Sequence, residues 1–173
     1  MTKKHERYFY VAVAAITLVN VAFQTHRTPA PAGGAIAASS LPIGSSVPEL
    51  HLRPLSNVAK QAEDPRVGGS GCHVLVVFHP RCPHCAPAAL RESALPVRDR
   101  LPVIWIADAD DSASAAFAKL LRAPSVLRYD PDAHRVLRTN VIPSAILVSA
   151  DGNVRKVWGY EGTEDHQRLR RQC

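Results

Sequence analysis

The chain is poor in cysteine, has no apolar run of full membrane length and no dense block of charge, and each shortage excludes something. Four cysteines in 173 residues are too few for a disulfide-stapled scaffold. The formal charge is +6, yet the basic residues sit at the two ends (Lys3, Lys4, Arg7; Arg168, Arg170, Arg171) and are otherwise scattered. Without a basic stripe interleaved with aromatics, no nucleic-acid partner is expected. His79 and His84 lie close to Cys82 and Cys85, but no second cysteine or histidine pair at ligand spacing completes a set, so no metal site is expected. The length allows one domain of ordinary size with sequence to spare.

What is present begins with residues 1–7, which carry Lys3, Lys4 and Arg7 and precede the uncharged apolar run 8–23 (YFYVAVAAITLVNVAF). Positive charge on the short leading side puts 1–7 in the cytoplasm and the chain beyond Phe23 outside. As a helix the run spans about 24 Å, short of the roughly 30 Å hydrocarbon core; snorkelling or local thinning absorbs such a shortfall. It reads as a single-pass anchor of the inner membrane, or an uncleaved signal. A cleaved signal peptide is the competing reading, with Ala35-Ile36-Ala37 as an A-x-A-like site well beyond the run. In both cases the domain faces an oxidising periplasmic or extracytoplasmic space. Residues 24–42, dense in Pro, Ala, Gly and Ser, read as a flexible tether, and 43–173 as the folded domain.

The domain is organised around HVLVVFHPRCPHC, residues 73–85. Its apolar, β-branched half reads as a buried strand. The strand stops at Pro80 and delivers Cys82 and Cys85 to the start of a helix expected over 86–95, with Pro87 in its first turn and Pro96 beyond its end. One sulfur can attack and the other resolve a mixed disulfide. Unpaired N–H groups at a helix N-terminus favour the Cys82 thiolate. His84 can add charge or a donor to the same sulfur, and Pro83 falls near the first helical position, where its missing N–H costs nothing. This is a redox-active dithiol, with no cofactor beyond the Cys82–Cys85 couple.

Further along, 103–107 reads as a second buried strand and Asp108 to Asp111 as a turn capping a helix over 112–121. A short strand over 126–129 and a short helix over 133–140 come next. Residues 144–148 and 154–158 form strands around Asp151-Gly152, a strong hairpin signal. Thr163, backed by Glu164 and Asp165, is placed to start a last helix. Leu50, Leu52 and Leu55 suggest a short edge strand or hairpin. His51, His73, His134 and His166 read as surface residues without a role, and Trp105 and Trp158 as packing. The order implies a mixed sheet with helices on both faces.

CPHC on a strand-to-helix turn, Ile142-Pro143 before a terminal hairpin, and a final helix resemble the thioredoxin fold. The opening Ile43-Gly44-Ser45-Ser46-Val47-Pro48-Glu49-Leu50-His51-Leu52 is similar to the vG-x-x-x-P-x-x-x-L of the membrane-anchored TlpA/ResA-type thiol–disulfide oxidoreductases. Tyr129-Asp130-Pro131 with IPSAILVSADG (142–152) resembles that group's D-P-D … P-T-x-x-L-I-D-x-D-G. The spacing from Cys85 to Pro143 leaves room for the strand and helix this group inserts and too little for the helical insert of DsbA-type oxidases. The resemblance implies an α/β thioredoxin fold with an inserted strand and helix. It implies that Cys82 is the nucleophile, Cys85 the buried resolving cysteine and Pro143 a cis-proline facing them. The Ile142 backbone would then offer strand-like hydrogen bonds to a substrate.

The implied partners are exported cysteine-containing proteins, among them apocytochromes or other maturing metalloproteins, and a membrane thiol-redox partner. The chain is expected to be monomeric.

Departures from the group leave the direction of electron flow open. Arg81 stands where an aromatic usually precedes the first cysteine, adding positive charge beside Cys82 where a substrate would bind. The central strand lacks the buried acid that moves protons to the resolving thiol, and Ala88 occupies a site where relatives have glutamate. The Pro-His dipeptide is that of oxidising DsbA-like proteins. Peroxidase chemistry is not expected, since His79 replaces a threonine. Copper binding or delivery through the same two sulfurs is the alternative function. In a thioredoxin-like topology the last helix ends near the start of the central strand, so the resemblance also implies a structural disulfide between Cys72 and Cys173.

Overall fold

The structure, a computed structural model, describes residues 38–56, 71–122 and 125–173. The apolar run 8–23 and most of the tether lie outside the described residues, among which no helix is long and apolar enough to cross a membrane.

Five strands form one sheet in the order β3-β2-β1-β4-β5. β1 is His73–Phe78, β2 Val103–Ala107, β3 Val126–Tyr129, β4 Ser144–Val148 and β5 Val154–Gly159. β1 pairs parallel with β2, and β2 with β3. β4 pairs antiparallel with β1 and with β5, the last pair being the Asp151-Gly152 hairpin. The helices are α1 Cys85–Ala94, α2 Ser112–Ala118, α3 Ala133–Val136 and α4 His166–Arg170.

Strand alternation sorts the apolar residues onto two faces. Val74, Val76 and Phe78, with Val103, Trp105, Ala107, Ala145 and Leu147, meet Cys85, Ala88 and Ala89 of α1, Phe117 of α2 and Leu169 of α4. Leu75, Val77, Ile104, Ile106, Ile146 and Val148 face the other way, onto Ala133 and Leu137. Both faces of β1 are therefore dry, which explains why its sequence is continuously apolar instead of alternating.

Several boundaries differ from the sequence reading; the helix expected over 112–121 ends at Ala118. Residues 38–42, inside the stretch read as tether, are packed onto the domain. Ala38 and Leu41 are buried, the Ser39 hydroxyl donates to the Leu137 carbonyl at 2.6 Å, and Ser39 bridges to Thr139. The expected strand or hairpin near Leu50–Leu55 is a single bridge, Arg53 to Tyr129 on the outer edge of β3. α3 stops at Val136, where Leu137 turns out of the helix. The last helix starts at Asp165, whose side chain accepts from the Arg168 N–H; Glu164 is engaged instead by the Trp158 indole and the Glu161 N–H.

Residues 38–55 run as a belt. They bridge to Thr139, then to Asn153 at the tip of the β4–β5 hairpin, then to Tyr129 on β3. Leu41, Val47, Leu50 and Leu52 cover one core on the way, and Leu55 reaches the other.

Three histidines that read as surface residues are not exposed, His73 being half-buried at the start of β1. His166 is 3% exposed and its Nδ1 accepts from the Leu101 N–H at 2.9 Å; His134 is half-buried. A buried polar group lies under α1. Glu92 is fully enclosed, accepts from the Ser125 hydroxyl at 2.9 Å and stands 3.6 Å from Arg100 Nη1. Burial raises the Glu92 carboxyl above its usual range and outweighs the opposing Ser125 and Arg100 contacts. At the far end of the sheet a disulfide joins Cys72 to Cys173, Cα atoms 6.0 Å apart.

Candidate active site

The dithiol sits where parallel strands β1 and β2 end. Beyond Phe78 the chain makes two consecutive turns: the Cys82 N–H donates to the His79 carbonyl at 2.9 Å and the Cys85 N–H to the Cys82 carbonyl at 3.2 Å. His84 is the cap residue of α1 and makes no side-chain cap bond. Pro83 therefore lies before the cap and not at the first helical position, which Cys85 occupies. Pro87 falls two residues later, still inside the turn whose N–H groups have no partner in the helix, so α1 tolerates it.

Cys82 and Cys85 are both free thiols, Cys82 half-buried and Cys85 buried. The Cys82 thiol donates to the Ile142 carbonyl at 3.8 Å. The Ile142-Pro143 peptide is cis, and Ile142 is 37% exposed. Pro143 and Ile142 thus close the site from the β4 side, opposite the CPHC turn. Burial pushes the Cys85 thiol far above the ordinary range; its hydrogen bond to Cys82 and the Cys82 charge add to this, the His79 backbone opposes it, and the Asp108 carboxylate adds to it. The two sulfurs are unequal: one is reachable, the other is shielded and held as a thiol.

Arg81 is engaged sideways. Its guanidinium reaches Asp111 at 3.3 Å on a side chain that is 74% exposed, and Asp111 caps α2 through the Ser114 N–H at 2.8 Å. That pair ties the CPHC turn to α2, although an exposed pair contributes little stability. His79 Nδ1 accepts from the Arg81 N–H at 3.2 Å, so the imidazole braces the turn.

Two residues at the same end of the sheet, Asp108 and His134, are not marked out by the sequence pattern. Asp108 follows β2, and the register pairs Ala107 with Phe78, so Asp108 and His79 leave neighbouring strand ends together. Asp108 Oδ2 lies 3.7 Å from His134 Nε2, while Asp108 Oδ1 and His134 Nε2 are buried without a hydrogen-bond partner. By sequence Asp108 is a turn residue; the signal for more is an acid directly ending a buried strand parallel to the one that carries the cysteines.

Among the described residues no three His, Cys, Asp or Glu side chains cluster as a metal ion would need.

No protein-family model matches the chain, and no curated protein does. Solved structures do match. A protein of Bacteroides thetaiotaomicron assigned as a protein disulfide isomerase superposes with a TM-score of 0.55 at 20% identity, over 79% of this chain and 90% of its own. A protein of Chlorobium tepidum assigned as the thiol:disulfide interchange protein DsbE gives 0.54 at 18%, over 77% and 96%. The thioredoxin domain of a thiol–disulfide oxidoreductase of Bacteroides vulgatus gives 0.54 at 13%, over 76% and 99%. At such identities the likeness is one of backbone, and with the sheet order, the strand-to-helix dithiol and the cis-proline opposite it, the chain has the thioredoxin fold.

Proposed function

We propose that this chain is a thiol–disulfide oxidoreductase of the cell envelope, working through Cys82 and Cys85 on exported cysteine-containing proteins. The observation that carries this reading is the inequality of the two thiols. Cys82 is reachable and lies against the Ile142 carbonyl, whereas Cys85 is wholly buried at the first position of α1.

In the reducing direction the Cys82 thiolate attacks one sulfur of a partner disulfide. A bond forms between Cys82 and that sulfur, and the other partner sulfur leaves as thiolate. Cys85 then attacks Cys82, releasing the second partner sulfur and leaving the Cys82–Cys85 disulfide. The oxidising direction is the reverse. The Ile142 backbone and side chain supply an edge along which an extended partner segment can lie. Residues 8–23 would hold the domain at the inner membrane with the dithiol outside, where a membrane thiol-redox partner resets it. Apocytochromes are one class of partner with the required cysteines.

The test is Cys85→Ser in the full chain. It should accumulate mixed disulfides between Cys82 and exported proteins, and Cys82→Ser should accumulate none. Equal loss of bound Cu(I) in the two variants, with no trapped partner, would instead favour copper delivery. Equilibration of the wild-type dithiol against glutathione then sets direction: a potential near about −120 mV marks an oxidant and one near about −270 mV a reductant.

A further inference from the structure

Basic residues that lie scattered along the sequence are gathered by the fold at one end of the domain. The outer side of α1 shows Leu90 and Ala94, continued by Val97 in the short turn Val97–Asp99. Leu90 is 54% and Val97 61% exposed, and Arg98 stands beside them with its side chain 87% exposed. Resting on the membrane anchorage read for residues 8–23 above, we propose that this face docks on the surface of an anionic lipid bilayer.

Contacts at the end of α1 draw further cations in from two sides. On one side the Ser93 hydroxyl donates to the Leu120 carbonyl at 2.9 Å, and Arg100 Nη1 to the Arg122 carbonyl at 3.3 Å. These seat the exposed Lys119 and Arg122 next to α1. On the other side Gln167 Nε2 donates to Asp99 Oδ1 at 3.1 Å, and Arg170 Nη2 to the Arg100 carbonyl at 3.0 Å. α4 therefore lies along the turn after α1 and brings the exposed Arg168 and Arg171 with it.

Three acids share the region. Asp99 is engaged by Arg98 at 3.7 Å and by Gln167, Asp165 caps α4, and Glu161 takes the Arg91 guanidinium on its backbone carbonyl. Glu92 is enclosed beneath α1 and faces no solvent. Cations thus outnumber acids on this face among the described residues. Its centre holds Leu, Ala and Val without an aromatic side chain, so it lacks the large rigid anchors on which protein interfaces concentrate their affinity. Short apolar side chains flanked by Arg and Lys instead match the boundary between acyl chains and acidic headgroups.

The belt meets the domain at the opposite end. The Ala38 carbonyl accepts from the Asn140 N–H and from the Ser144 hydroxyl, each at 2.9 Å, and Ser144 directly follows Pro143. Residues 24–37 can extend to about 46–50 Å, against a domain roughly 35 Å across, so an anchored chain reaches the docked arrangement. Cys85 opens α1 and Ala94 closes it, about 14 Å apart along the helix axis. Docking through the end of the helix therefore keeps Cys82 off the lipid and open to exported proteins.

The test is hydrogen exchange of the full chain in nanodiscs of phosphatidylcholine alone and in discs containing about a third phosphatidylglycerol. Backbone amides over 90–99 and 167–173 should exchange several-fold more slowly in the anionic discs, and molar salt should remove the difference. Arg98→Gln and Arg168→Gln should each lower the docked-to-free ratio about fivefold, the worth of one cation at an anionic surface. Leu90→Asp should lower it at least as far. Equal exchange in the two discs, or protection that survives all three substitutions, overturns the proposal. Protection by poly-L-glutamate in place of anionic lipid would assign the face to an acidic protein and overturn it as well. A full chain that enters neither disc overturns the anchor reading, and the proposal with it. Docking by a chain whose Cys82 is inert toward a small disulfide upholds the proposal and overturns the oxidoreductase reading alone.

Discussion

The Cys82 thiol and the Ile142 carbonyl meet at 3.8 Å across 60 positions of sequence. An accepting carbonyl and a half-exposed apolar side chain therefore flank the sulfur that a partner must reach. Ile142→Asp should cost about tenfold in kcat/KM toward a disulfide-bonded protein, roughly one apolar contact. The rate with a small disulfide should not change. Equal losses with both would show that the substitution disturbs Cys82 and not the partner's seat.

Gly162 and Gly44 share a positive φ, +75° and +87°, but not their surroundings. A Cβ on Gly162 would fall 2.0 Å from the Ala88 carbonyl of α1, whereas one on Gly44 meets nothing. Gly44→Ala should cost about 1 kcal/mol from the backbone alone. Gly162→Ala should cost at least about twice that and shift α1, slowing Cys85 resolution. Urea unfolding of the two variants separates the effects; equal losses would mean that the loop at 160–163 moves aside freely.

Glu92 joins α1 to Ser125 and Arg100 in a dry setting. Glu92→Ala leaves the Arg100 guanidinium buried without its carboxylate and should cost about 3–5 kcal/mol. Glu92→Gln keeps a partner for Ser125 and should cost far less. The folded state raises the proton affinity of Glu92, so its contribution is fully present below the unfolded carboxylate range and is lost as pH rises through the elevated folded value. Wild type should accordingly lose stability relative to Glu92→Gln as pH climbs above the unfolded carboxylate range, about 4. A pH-independent difference in urea midpoint would contradict this.

The Cys72–Cys173 disulfide closes a loop of sequence separation 101. Replacing both cysteines with serine should lower stability by about 2–5 kcal/mol while leaving exchange at Cys82 intact, because the staple lies at the pole away from the dithiol. Loss of exchange in a chain that still unfolds cooperatively would show that the two ends of the sheet are coupled.

Much of this architecture is legible in the sequence because it is local. The buried strands announce themselves as short apolar runs, and Asp151-Gly152 as the hairpin between two of them. The dithiol is legible from its spacing, and the opposing proline through its resemblance to a known pattern. The illegible parts depend on partners far along the chain. Ala38 to Leu41 looks like linker by composition, and the Leu137 carbonyl, 98 positions away, together with the bridge to Thr139 gives Ser39 its place. Glu92 and His166 sit on helices whose polarity says nothing of burial; Ser125, Arg100 and the Leu101 N–H, all from other elements, make enclosure tolerable. Asp108 is one of several acidic or small residues in a turn, and strand register alone sets it next to His79 at the end of β1.

The belt formed by residues 38–55 has a consequence for the order in which the molecule comes together. Its strand-like bridges go to Tyr129, Thr139 and Asn153, and β1 waits for β4, as Cys72 waits for Cys173. The earliest part of the domain to be synthesised is thus completed by the latest. A chain emerging N-terminus first carries Leu41, Val47, Leu50 and Leu52 uncovered until β4 and the hairpin arrive. Closure is then a single late event across long sequence separations, which is slow and leaves apolar surface open to wrong associations meanwhile.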